Sequence, residues 1–152
     1  MTYTNAEARE QLLDDLASAA DQIAQALACL GEAYEQLDEH TADQLEQSLF
    51  APVQHAYGRA KRAYTAFAAR YELPARSFES PTPGPASQDA RALIERAGDS
   101  AGEAEQAIAD LQDSMLPVEV GDPELRAGLS EVRALIGEVP ARARALVRTV
   151  GR

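Results

Sequence analysis

An unbroken seven-residue repeat over the first quarter of the chain most limits what it can fold into. The apolar residues Leu13, Leu16, Ala20, Ile23, Leu27, Leu30, Tyr34 and Leu37 are spaced 3, 4, 3, 4, 3, 4, 3. Such a seam keeps to one side of a long α-helix, drifts slowly around it, and requires partners that wind with it. Leu12, Ala19, Ala26 and Ala33 flank it on one side, and Ala17, Ala24 and Gly31 on the other. The stripe is therefore as wide as that of a bundle helix, and its small flanks let neighbouring backbones come close.

Three later segments repeat the pattern. Leu45 and Leu49 precede Pro52, and Tyr57, Ala60, Tyr64, Phe67 and Tyr71 follow it at spacings of 3 and 4. The step from Leu49 to Tyr57 is one residue longer than a heptad, so a kink or a one-residue bulge is expected near the proline. A third seam runs Ala90, Ile94, Ala97, Ala101, Ala104, Ile108, Leu111, Met115, and a fourth Leu125, Leu129, Val132, Ile136, Val139, Ala143, Leu146, Val150. Helices are expected over about 6–38, 42–71, 88–114 and 123–150. Their starts are marked by Thr4 or Asn5, by a Thr41-to-Gln44 capping box, by Ser87, and by Asp122 before Pro123. Pro140 should kink the last helix without a register slip. Four prolines make 72–87 a linker that favours extended chain.

The expected architecture is an all-α four-helix bundle with left-handed packing, one domain over 1–152, traced up-down-up-down. Tyr57 and Tyr64 are then expected to fill the space over Ala97, Ala101 and Ala104, beside Gly98 and Gly102. A rival expectation is a small-ligand pocket lined by those five side chains.

Charge limits the partners. The net charge is −11, which disfavours a polyanionic nucleic-acid backbone. Residues 1–46 are net −10, 47–76 net +4, 77–113 net −6 and 114–152 net +1. Alternating signs favour particular helix neighbours. No run is long and apolar enough for a membrane span, and no leader-like basic and apolar segment opens the chain. Cys29 is the one cysteine; no internal disulfide is possible, and a cytoplasmic setting is expected. The seam spacing places Cys29 on the outer face.

Candidate chemistry is sparse. Neither His40 nor His55 has a Glu three residues before it, so the Glu-x-x-His pairs of ferritin-like di-iron helices are missing. Glu32, Glu35 and Asp38, with Asp43 and Glu46 on the next helix, are spaced to hold a divalent metal against phosphates. This pattern resembles the Glu-x-x-Glu and Glu-x-x-Asp pairs of all-α nucleoside triphosphate pyrophosphohydrolases, and the resemblance implies a metal-dependent nucleotide hydrolase. The chain departs from it because Asp43 and Glu46 reverse the order of the second pair and follow the first closely. His55-Ala-Tyr-Gly58-Arg59 resembles the phosphoacceptor site of histidine phosphotransfer bundles, with glycine and cation exchanged. Arg59, Lys61, Arg62 and Arg70 alternate with aromatics whose spacing places them inward, so these bases are expected to pair with acidic neighbour helices or with an acidic protein. No nucleophile, base and electrophile come together in the sequence. The expected function is a non-enzymatic structural or protein-interaction module, with a protein partner or self-association, and with no cofactor, nucleic acid or membrane.

Overall fold

The computed structural model describes residues 4–82 and 88–150, and among these every regular element is helical. The elements are α1 (Asn5–Gln36), α2 (Glu39–Leu45), a π-helical turn (Glu46–Phe50), α3 (Ala51–Arg70), α4 (Ala90–Asp113), α5 (Leu116–Glu119), α6 (Pro123–Ile136) and α7 (Val139–Val147). None of these helices is long and apolar enough to cross a membrane.

Local chemistry fixes most boundaries. The Thr4 hydroxyl accepts from the Glu7 amide while the Glu7 carboxylate accepts from the Thr4 amide, a reciprocal cap that starts α1. The Thr41-to-Gln44 box is corrected: Asp38 caps α2, its carboxylate accepting from the Thr41 amide at 2.8 Å and the Thr41 hydroxyl at 3.2 Å. The charged carboxylate of Asp38 starts the helix three residues earlier than a Thr41 cap would. The expected cap Ser87 lies outside the described residues; Asp89 accepts from the Ala92 amide and starts α4. Asp122 caps α6 with Pro123 behind it, as expected.

The register slip before Pro52 is taken up by the π-helical turn, which holds one more residue per turn than an α-helix. The last helix breaks between Ile136 and Val139, yet Ile136, Val139 and Ala143 are all buried, so the seam crosses Pro140 in register.

The up-down-up-down path is corrected. Gln36, at the end of α1, donates to the Gln88 carbonyl just before α4. At the opposite end, Arg9 donates to the Val120 carbonyl just after α5 and lies over the Tyr71 ring at the end of α3. The chain therefore climbs the full length of α1 between α3 and α4, and α3 and α4 run the same way, both antiparallel to α1. Contacts from Arg76 to Asp21 and from Gln25 to the Thr82 carbonyl mark this climb. The neighbours change accordingly. α1 packs on α4 and α3, α3 on α6, and α4 on α7, while α3 and α4 sit across a diagonal.

This path explains two further departures. In α1 the seam residues Leu13, Leu16, Ala20, Ile23 and Leu30 are buried as expected, and burial extends over one flank to Leu12, Ala19, Ala26 and Ala33. Ala19, Ala26 and Ala33 turn inward because α4 approaches on that side. Tyr34 is left 38% exposed and Leu27 half-buried. Cys29, expected outside, is completely buried by the same rotation.

Close packing of α4 against α7 rests on glycine. A Cβ on Gly98 would sit 2.9 Å from the Ala143 Cβ, and one on Gly102 would sit 3.7 Å from the Pro140 ring. Gly31 in α1 has open space around it. The two glycines should respond oppositely. Gly98→Ala is expected to lower stability by about 1–3 kcal/mol through overpacking, whereas Gly31→Ala should raise it by about 0.5–1 kcal/mol through helix propensity. Urea denaturation of both variants checks the signs.

Candidate functional site

The five acids singled out in the sequence are parted by the structure. Glu35, Asp38, Asp43 and Glu46 are exposed and Glu32 is half-buried. Asp38 is committed to its cap; the Thr41 amide, then the Thr41 hydroxyl, hold its carboxyl below the ordinary value. Among the described residues, no three Asp, Glu, His or Cys side chains come together to hold a metal ion. Glu35 and Glu46 both line a groove between α1 and the π-helical turn.

That groove measures about 330 Å³ and is lined by Gly31, Tyr34, Glu35, Glu46 and Phe50. Its shape follows from local sequence. Gly31 leaves the wall hollow, the turned α1 stripe leaves Tyr34 outside, and the π-helical turn carries Glu46 and Phe50. Phe50 is half-buried. The result is an apolar, aromatic floor with a carboxylate on each wall.

The expected five-residue pocket is also parted. Tyr57 and Tyr64 do not fill the space over Ala97, Ala101 and Ala104. With α3 diagonal to α4, the tyrosines face the side where the linker climbs and meet Phe78. The Phe78 ring stands edge-on to both, at centroid distances of 6.5 and 5.3 Å. The three alanines are buried on the helix that packs most extensively on α1. Burial pushes both tyrosine hydroxyls up, the Asp21 carboxylate adding to this at Tyr57 and Arg76 opposing it at each.

Arg76 completes the linker contact. Its Nη2 donates to both Asp21 oxygens at 2.8 and 2.9 Å, and its guanidinium lies 4.7 Å from the Phe78 ring centre. An Arg and an aromatic two residues apart in extended chain project to one side. Here one reaches an α1 acid and the other fits between α3 tyrosines. The height of this contact follows from Asp21 on α1, and the open groove lies at Gly31 to Glu35, further along the same α1–α3 side. Arg76 and Phe78 thus fill the lower part of this furrow, and the groove opens in its upper part.

Arg59 and Arg70 of α3 pair with acids of α6, which lies in the block of net +1 and not in either acidic block that the alternation of charge favoured. Arg59 meets Glu131 at 2.6 Å. Arg70 meets both oxygens of Asp122 and reaches Glu124 at 2.8 Å, and the Tyr71 hydroxyl adds a contact to Asp122. Burial works against the Asp122 charge, but the Arg70 hydrogen bond, the Leu125 amide, the guanidinium charge and Tyr71 outweigh it, so its carboxyl lies below the ordinary value. His40 and His55 are exposed.

Sequence reasoning missed Tyr34, Phe50, Arg76 and Phe78 as surface-forming residues. The signals were a tyrosine near the drifting end of a heptad seam and an Arg-Ser-Phe triplet inside a proline-rich linker. Comparison with known protein families, characterised proteins and solved structures finds no match to this chain.

The Asp122 cluster generates a pH prediction. A carboxyl depressed in the folded state contributes stability that is present above its ordinary value and is lost as pH falls through the folded value. Asp122→Ala should cost about 1–2 kcal/mol at neutral pH through the lost cap and ion pair. The gap between parent and variant should close as pH falls below the ordinary 3.8. Denaturant melts from pH 7 down to pH 2.5 measure it; a gap that stays constant over that range would count against the cluster.

Proposed function

We propose that this chain is a non-enzymatic protein-interaction module, built as a four-helix bundle with left-handed packing, whose working surface is the α1–α3 furrow. The observation that carries this reading is the docking of the chain's own linker. Arg76 pairs with Asp21 and Phe78 inserts against Tyr57 and Tyr64. A helical surface that holds extended chain through a charge pair and an aromatic anchor has the two elements a recognition surface needs: an anchor that fills a hollow, and a charge that sets register. Such a surface requires no catalytic constellation, and the exposed acids repel anions and attract cations.

The furrow is occupied intramolecularly, where the effective concentration of the linker reaches the millimolar range. Weakening the strap should therefore open the surface to the same sequence supplied in trans. In the double variant Arg76→Ser/Phe78→Ala, a fluorescein-labelled peptide of residues 72–82 is expected to bind saturably, at least about tenfold tighter than to the parent chain. Equal or absent binding to both proteins would reduce the strap to packing and remove the support for this reading. A parallel thermal melt tests the catalytic rival. Mg²⁺ or Mn²⁺ with a nucleoside triphosphate is expected to leave Tm unchanged, and a rise of several degrees would overturn the non-enzymatic assignment.

A further inference from the structure

We infer that the open upper furrow, lined by Gly31, Tyr34, Glu35, Glu46 and Phe50, is a docking site for an extended segment of another protein that carries an Arg or Lys two residues from an aromatic side chain. The inference rests on the interaction reading above and adds the place and the chemistry of the partner.

Three observations carry it. The first is the occupant of the lower furrow. Arg76-Ser-Phe78 is bound there by an acid on α1 and aromatic rings on α3. The upper furrow offers the same two elements, acids and rings, with one of each on either wall. Glu35 on α1 and Glu46 on the π-helical turn supply the acids; Tyr34 and Phe50 supply the rings. In extended chain, residues i and i+2 face one side, so a base and an aromatic enter a single furrow together.

The second observation is charge. No Arg or Lys occurs between Arg9 and Arg59, a stretch that holds ten carboxylates. It contains every residue lining the upper furrow, together with Glu32, Asp38, Glu39 and Asp43 nearby. The only other titratable cations of the stretch are the exposed His40 and His55. From the neighbouring α7, Arg142 reaches the Ser48 carbonyl. A cationic segment is attracted to such a surface and an anionic one is repelled.

The third is space. A Cβ at Gly31 would meet nothing within 4 Å, and Tyr34 keeps 38% of its surface exposed. The groove itself, about 330 Å³, lies between these residues and the π-helical turn.

The chain contains no Trp, so a peptide tryptophan reports binding without background. A ten-residue peptide with an Arg-Ser-Trp core is titrated with the full chain while its fluorescence is followed, beside a Glu-Ser-Trp peptide. The Arg-Ser-Trp peptide is expected to shift to the blue and saturate, and the Glu-Ser-Trp peptide to bind at least about tenfold more weakly. Glu35→Gln/Glu46→Gln should weaken the first peptide by about tenfold. Gly31→Leu, which fills the furrow from a helix position with free space, should abolish the shift while raising the melting temperature. Binding that ignores all three substitutions would overturn the upper furrow as the site and leave the interaction reading in place. Absence of binding by both peptides to the parent, and to the strap-weakened Arg76→Ser/Phe78→Ala variant, would overturn the two together.

Discussion

The contact between α1 and α4 depends on side chains no larger than a methyl group. With Gln36 holding Gln88 at one end and Arg9 holding Val120 at the other, Ala26 of α1 stands level with Ala101 of α4. Both are buried. Small residues along both helices bring the two backbones near enough for leucines and isoleucines above and below to interlock at native density. The same economy of volume recurs where Gly98 faces Ala143. Bulk is supplied at other levels by Leu12, Leu16, Ile23 and Leu30 of α1, by Leu93, Ile94 and Ile108 of α4, and by Phe67. This asymmetry decides which helix each one neighbours, and so determines where the linker must run.

Given that path, the linker becomes a structural element in its own right. It carries no helix, yet Phe78 covers Tyr57 and Tyr64, and Arg76 neutralises one of the α1 acids. Without it, the α1–α3 side would expose two tyrosines over a strongly acidic wall. Above Arg76 and Phe78 the same wall carries the groove at Gly31, Tyr34 and Glu35. One stretch of chain covers part of a surface, and acids and aromatic rings line the groove beyond it as well.

Heptad spacing made the helices legible because burial of a stripe is a property of one helix at a time. Leu49 to Tyr57 even announced the π-helical turn, since an extra residue has to go somewhere and Pro52 denies it an ordinary α-helical turn. Asp122 and Pro123 were equally readable, being a local cap. What stayed hidden were facts about pairs of helices. Tyr34 fits a core seam until α4 approaches from the Ala26 side, and Cys29 looks external until the same rotation buries it. Tyr57 and Tyr64 were assigned to the alanines of α4 because the linker's 72–87 span permits either route, and periodicity says nothing of which neighbour is chosen. The acids Glu35 and Glu46 were found in sequence, but their role as opposite walls of one groove depends on the short turn that Asp38 caps and on Gly31, neither of which marks itself as a site.

The crossover also separates in sequence what it unites in space. The Gln36–Gln88 contact spans 52 residues and the Arg9–Val120 contact spans 111. Adjacent helical hairpins close their interfaces over a few tens of residues, so helical proteins are commonly fast to fold. Here the largest interface, α1 with α4, cannot form until a long loop has closed, and the loss of chain entropy comes before the contact that offsets it. α1 with α2 and α3 forms one local hairpin, and α4 with α6 and α7 a second. The physical picture is of two such hairpins, each with a half-exposed stripe, that must find one another late. Folding speed is then governed by the topology of the linker more than by the strength of any helix.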